Sequence, residues 1–185
     1  VLSIYLCKKK MKNLLLVILL IPFIVSGQQN SNPKEVSKLN DNYIKSIDNL
    51  TLDAAYILTN QAMKKALELD KNVAIAVLDS SGNIILIVRG DNVGIHNTEA
   101  ARRKAYTALS TKTPTLELLQ KANSSPLIKN LNTLPELLLL SGGSPIWYKG
   151  NVVGSIGVAG GGSPENDDLI AKSVSINEKG ITTSK

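Results

Sequence analysis

Two paired β-prone runs, each closed by a Gly/Asn turn, constrain this chain more than any other feature. Val73-Ala-Ile-Ala-Val-Leu-Asp79 is rich in β-branched residues, and Ser80-Ser81-Gly82-Asn83 separates it from a second apolar run, Ile84 to Arg89. Ile146 to Lys149 and Val152 to Ala159 flank Gly150-Asn151, a two-residue turn of the kind that closes hairpins. Leu137 to Leu140 adds a short, wholly apolar run read as a strand. Strands joined by hairpins must pair antiparallel. The expected fold class is α+β: a five-stranded antiparallel sheet with helices packed on it in layers.

The helices have their own signals. Thr51 is a capping residue, and Leu52, Ala55, Leu58, Ala62, Ala66 and Leu69 recur every three or four positions, which predicts a helix to about Asp70. A second helix is expected from Asn97 or Thr98 through Ala108. Thr113-Pro114 reads as the start of a third. Asn123 to Leu134 reads as irregular. Ser163-Pro164 starts a last helix, whose first turn carries Glu165, Asp167 and Asp168 beside the positive end of its dipole.

The N-terminal region reads as targeting rather than fold. Lys8, Lys9, Lys10 and Lys12 precede an apolar run of about 12 residues from Leu14 to Val25, followed by Ser26-Gly27. A membrane span needs about 20 such residues. Residues 1–27 are therefore expected to be a secretory signal peptide cut near Gly27/Gln28, residues 28–49 a flexible polar leader, 50–178 the domain, and 179–185 a tail. The expected location is secreted or periplasmic, with no transmembrane span in the mature chain. Removing the four leader lysines from a chain of 21 basic and 15 acidic residues leaves about +2. That argues against a nucleic-acid partner, which needs a clustered basic face. Cys7 is the only cysteine and falls in the removed part, so neither disulfide nor thiolate chemistry is expected.

No catalytic set emerges. One histidine, His96, cannot build a His/Cys metal cluster, and no Gly-x-Ser-x-Gly elbow accompanies it for a serine triad. Gly154, Gly157, Gly160 and Gly161 lie in and after a strand rather than between a strand and a helix. They therefore read as points of close approach to another backbone, a ligand or a subunit, not as a nucleotide loop. Arg102, Arg103 and Lys104 are consecutive on a helix whose packed face is Ala101, Ala105 and Ala108, so at least one must point inward. Lys104 lies next to that face. With Arg89 it could hold carboxylates, or both could make ordinary ion pairs with acids such as Glu99 and Asp91.

Six motifs in order resemble the GlcG/HbpS family. They are residues 73–83, Arg89-Gly-Asp-x-x-Gly94, Glu99-Ala-Ala-Arg-Arg-Lys-Ala-Tyr-Thr-Ala108, Pro114-Thr, Gly142-Gly143-x-Pro145 and Val153-Gly-x-Ile-Gly-Val-x-Gly160. The resemblance covers about residues 50–178 and looks nearest to the secreted haem-binding branch. It implies an α/β/α, profilin-like domain that assembles into homo-oligomers, often octamers. It also implies haem as cofactor, with an accessory redox or iron-sensing role. A pocket lined by Arg89, Lys104, Tyr106, Gly142, Gly143 and Pro145 is expected, with His96 as the axial candidate. An acidic pair on the second helix of that branch is represented here by Glu99, with Arg102 at the partner position. The alternatives are an enzyme or enzyme accessory for a small hydroxy acid or a corrinoid-related pathway, and a purely structural assembly.

Overall fold

The computed structural model describes residues 43–184; the expected signal peptide and residues 28–42 of the expected leader lie outside them. The unit containing the sheet begins at Ser46. Its elements, in order, are α1 (Leu52–Glu68), β1 (Ala74–Asp79), β2 (Ile84–Arg89), α2 (His96–Thr111), α3 (Thr115–Ser124), the short α4 (Pro126–Lys129), β3 (Gly143–Tyr148), β4 (Asn151–Ala159), α5 (Pro164–Lys172), β5 (Ser175–Ile176) and β6 (Ile181–Thr182). A 3₁₀ turn follows α4 and another lies between β5 and β6. The strands form one sheet in the order β2-β1-β4-β3-β6-β5, and every neighbouring pair is antiparallel.

The class is α+β as expected, but the sheet has six strands and is assembled differently at one side. Leu137–Leu140 is not a strand. Its backbone is held by side chains instead: Leu138 N–H donates to Thr107 Oγ1 at 2.8 Å, and Arg103 Nη2 donates to the Leu137 carbonyl at 2.7 Å. Leu137 and Leu139 pack with Leu118 and Ala122 of α3 in a satellite core. The strand starts later, at Gly143, and contains Pro145. Gly143 N–H turns away from β4 to Thr115 Oγ1 (2.8 Å), and Pro145 has the same sense two residues on, so its missing donor falls on the unpaired side. Asn123–Leu134 is also not irregular throughout, since α4 and a 3₁₀ turn occupy its middle. Part of the expected tail is structured: β6 pairs Thr182 with Trp147 and Ile181 with Tyr148. Gln61 of α1 clamps the adjoining β5 by exchanging two 2.8 Å hydrogen bonds with the Ser175 backbone.

Helices cover both faces. On one, α1 and α5 bury Ala55, Leu58, Ala62, Ile170 and Ala171 against Ile75, Val77, Ile146, Ile156 and Val158. On the other, α2 lays Ala101 and Ala105 on Ala74, Ala76, Leu78 and Ala159. Burial of β1 from both sides explains why it is a continuous apolar run rather than an alternating one. Thr51 caps α1 through Ala54 N–H, and Ser163 caps α5 through Asn166 N–H.

Small residues set the spacing on the α2 face. A Cβ on Gly157 would land on the Ala101 carbonyl oxygen, and one on Gly143 on the Lys104 carbonyl oxygen. Both collisions are with backbone, which cannot rotate away. Gly157→Ala is expected to lower unfolding free energy by about 2 kcal/mol or more, read by urea denaturation.

The β1–β2 turn is locked by Asp79, whose Oδ1 accepts from Ser81 and Asn83 N–H, both at 2.8 Å, while Oδ2 accepts from the Asn83 side chain at 3.1 Å. Burial alone would raise its pKa, but these hydrogen bonds outweigh it and hold the carboxyl below its ordinary 3.8. A depressed folded value means the contribution is present above 3.8 and fades as pH falls through the folded value. Asp79→Ala should cost about 1 kcal/mol at pH 7 and progressively less in acid, measured by denaturation at several pH values.

Candidate functional site

The residues expected to line a pocket divide into an interior cluster and a scattered periphery. Lys104, Gly142, Gly143 and Pro145 are all buried. Lys104 does point inward, as the helix arithmetic required, but into the domain and not into a cavity. Its Nζ lies 2.7 Å from Asp167 Oδ2 and donates to the Val158 carbonyl at 2.9 Å. Its side chain is 5% exposed and that of Asp167 is 11%, so the pair is effectively desolvated. Asp167 Oδ1 accepts from Gly161 N–H at 2.7 Å, and Asn166 Nδ2 donates to the Gly161 carbonyl at 2.7 Å. Gly142 is glycine because a Cβ there would press on the Val158 oxygen and on Asp167. For Lys104 to hold a ligand carboxylate, Asp167 would first have to be displaced.

The other candidates lie apart. Arg89 ends β2, and the register places it level with Ala74 and Ala159, three strands from β3. At about 4.8 Å per strand, roughly 14 Å separates Arg89 from the Gly142–Gly143 segment. Tyr106 is half-buried, and its ring lies over the β1–β2 turn at Gly82. His96 is the first residue of α2 rather than a loop residue before it, and it is exposed. Glu99 is engaged by Arg102, whose Nε and Nη2 donate to its two oxygens at 2.9 and 2.7 Å; the same Nη2 also reaches Glu136 at 2.8 Å. The Arg102 hydrogen bonds hold the Glu99 carboxyl below its ordinary range. Among the described residues, no group of three or more His, Cys, Asp or Glu is placed to hold a metal.

The open concavity lies elsewhere. A groove of about 320 Å³ runs between the start of α1 and the last strand. Asp48, Asn49, Leu50 and Thr51 form one wall with Ala54 of α1. Tyr148 and Val153 supply the floor from β3 and β4, and Lys179 and Ile181 close the far side. Leu50 is fixed by its N–H bond to the Val153 carbonyl (3.3 Å) and lies against Gly154. Lys149, next to the groove, places its Nζ 4.9 Å from the centre of the Tyr148 ring. A second recess, between Met63, Leu67 and Gly90, holds only about 40 Å³. The groove is hard to foresee from the residues, because Asp48 and Asn49 read as leader and Lys179 and Ile181 as tail.

The lining of the larger groove is mixed in character. Leu50, Ala54, Val153 and Ile181 are apolar, Lys179 is cationic, and the Tyr148 phenol is a potential oxygen donor. The volume of the groove lies at the lower end of ligand sites, roughly 300 to 1,000 Å³.

The ion pair yields a test of the interior. Lys104→Ala and Asp167→Ala should each cost about 3–5 kcal/mol, because each strands the other's charge in the interior. The double variant should cost much less than the sum of the two, as urea denaturation of all four proteins would show.

Residues 50–175 match the family model described as "Haem degrading protein HbpS-like". The solved structure of HbpS superposes with a TM-score of 0.66 at 37% identity, over 71% of this chain and 91% of that one. The crystal structure of a PduOC:heme complex superposes with a TM-score of 0.64 at 26% identity, over 74% of this chain and 99% of that one. An uncharacterised 15.0 kDa protein from the dhaT-dhaS intergenic region of Citrobacter freundii is 30% identical over 133 residues, 71% of this chain and 93% of that protein. The corrinoid adenosyltransferase PduO of the same organism is 27% identical over 122 residues, 65% of this chain; the match spans only 36% of the enzyme's length.

Proposed function

The chain belongs to the HbpS-like family, and from that premise we propose that it is an exported small-ligand-binding protein whose ligand is haem. The observation that carries the reading is the family match over residues 50–175. The haem-bound relative at 26% identity supports the ligand class. The basic, apolar and small-residue order of residues 8–27 supports export.

Haem, when bound, supplies the redox-active iron; the protein's part is to hold and orient it. In the groove beside α1, Leu50 and Ile181 would offer apolar contact and Lys179 would offset carboxylate charge. The role that follows is accessory, in redox poise or iron sensing. The match to part of a corrinoid adenosyltransferase favours one alternative, an accessory domain for corrinoid chemistry.

Assembly into homo-oligomers belongs to the same proposal. Leu52, Tyr56, Met63 and Leu67 make an exposed apolar stripe along α1, and among the described residues β2 ends the sheet, carrying five consecutive aliphatic residues at its edge. Edge strands of monomers are usually short or charged.

Titration of the purified protein with hemin should give a saturable Soret shift at micromolar haem, and light scattering of the same sample should give a mass several times that of one chain. Saturable binding of cobalamin with no haem response would select the corrinoid alternative.

A further inference from the structure

Resting on the assembly reading above, we infer that two copies of this chain join edge to edge along β2, pairing antiparallel about a two-fold axis at Ile87. The two ends of the sheet are finished differently. At the β5 end, the Gln61 side chain takes both the N–H and the carbonyl of Ser175, which closes that edge. At the other end, Ile84 to Val88 is an unbroken aliphatic run whose side chains are half-buried or exposed. It holds no proline, and no charge precedes Arg89. Edge strands of monomers are blunted by charge, by proline or by a covering element. Among the described residues, no strand pairs with the outer side of β2.

The backbone phase fixes which groups are on offer. Gly90 N–H donates to the Val73 carbonyl at 3.0 Å, so Gly90 turns toward β1. Alternation then turns Val88 inward, and Ile87 and Arg89 outward. The regular ladder of Leu86–Arg89 on Ala74–Val77 carries this phase, and the register shifts only beyond Val77. Such an edge meets its own copy with donors facing acceptors on both sides of the axis. The run has no acid and a single base, so it offers a charged partner little, and a second aliphatic strand matches it. Charge also selects the register. Centring on Val88 would leave the two Arg89 residues two positions apart, roughly 7 Å along the strands. Centring on Ile87 sets Arg89 opposite Ile85 of the second copy and separates the two guanidinium groups by four positions, roughly 13 Å. A strand pair alone is smaller than the roughly 1,200 Å² of a stable interface. The exposed Met63 and Leu67 of α1 widen it. They share a recess with Gly90, just past the end of β2, and the axis sets both α1 helices on the same face of the joined sheet.

The full chain is tested by light scattering and by amide hydrogen exchange resolved to single residues. In the wild-type oligomer, the Ile87 and Arg89 amides should exchange at least about tenfold more slowly than open amides. Ile87→Lys and Ile87→Glu should each halve the wild-type mass, with circular dichroism confirming the fold. Mixing the two variants should restore it, because opposite charges meet only where Ile87 faces its own copy. Failure to restore it overturns the Ile87 register, and an unchanged mass in the folded variants overturns the pairing. Should the variants not fold, exchange in the wild type decides: an oligomer whose Ile87 and Arg89 amides exchange freely overturns the pairing. Protected amides in a monomeric wild type would mean that another segment of the same chain covers β2, and overturn it too. A monomeric wild type removes the assembly reading as well, whereas an oligomer with an open β2 edge removes only this interface. Neither result bears on the hemin titration.

Discussion

The close approach of α2 to the sheet is the constraint on which the rest of the structure depends. Gly143 and Gly157 leave no side chain between the sheet and the Lys104 and Ala101 carbonyls, so the helix backbone comes down onto the strands. At that distance the residue at 104 has no path to solvent. A lysine there must find a counter-charge inside, and Asp167 of α5 supplies it. The pair in turn fixes where α5 begins, because the second oxygen of Asp167 holds the Gly161 amide. One packing decision on one face of the sheet thus determines a helix start on the other side of β4. Buried pairs of this sort contribute little net stability against an apolar substitute, but breaking them is costly. Their effect is to make the arrangement specific.

The same constraint decides where a ligand can go. A helix seated this tightly brings its backbone onto β3 and β4, and the positive charge nearest that contact is already neutralised by Asp167. What remains for recognition is the opposite end of the architecture, where the N-terminus of α1 and the last strand stop short of each other. There the walls are apolar, the lysine is exposed, and the floor is a strand residue held from both sides.

Much of this was legible in the residues. The two hairpins, the Thr51 and Ser163 caps and the inward turn of Lys104 followed from turn chemistry and helical spacing, which are local. The failures were of another kind. Leu137–Leu140 has the composition of a strand, but Thr107 and Arg103 satisfy its backbone from a neighbouring helix, and composition cannot report that. Asp167 had a sufficient local explanation as a first-turn acid, which hid its partner 63 positions away. Residues 179–182 are short and polar enough to pass for a tail; only pairing with Trp147 and Tyr148 makes them part of the sheet. The groove could not be foreseen, because no contiguous stretch encodes it.

That last feature has a topological meaning. The groove is bounded by residues 48–51 on one side and 179–181 on the other, so both edges of the described domain contribute to it. A molecule seated there would act as a clasp, joining residues 48–51 to residues 179–181. Fraying at either extremity and release of the occupant would then be a single event, and a protease trimming either end would empty the site before it damaged the core.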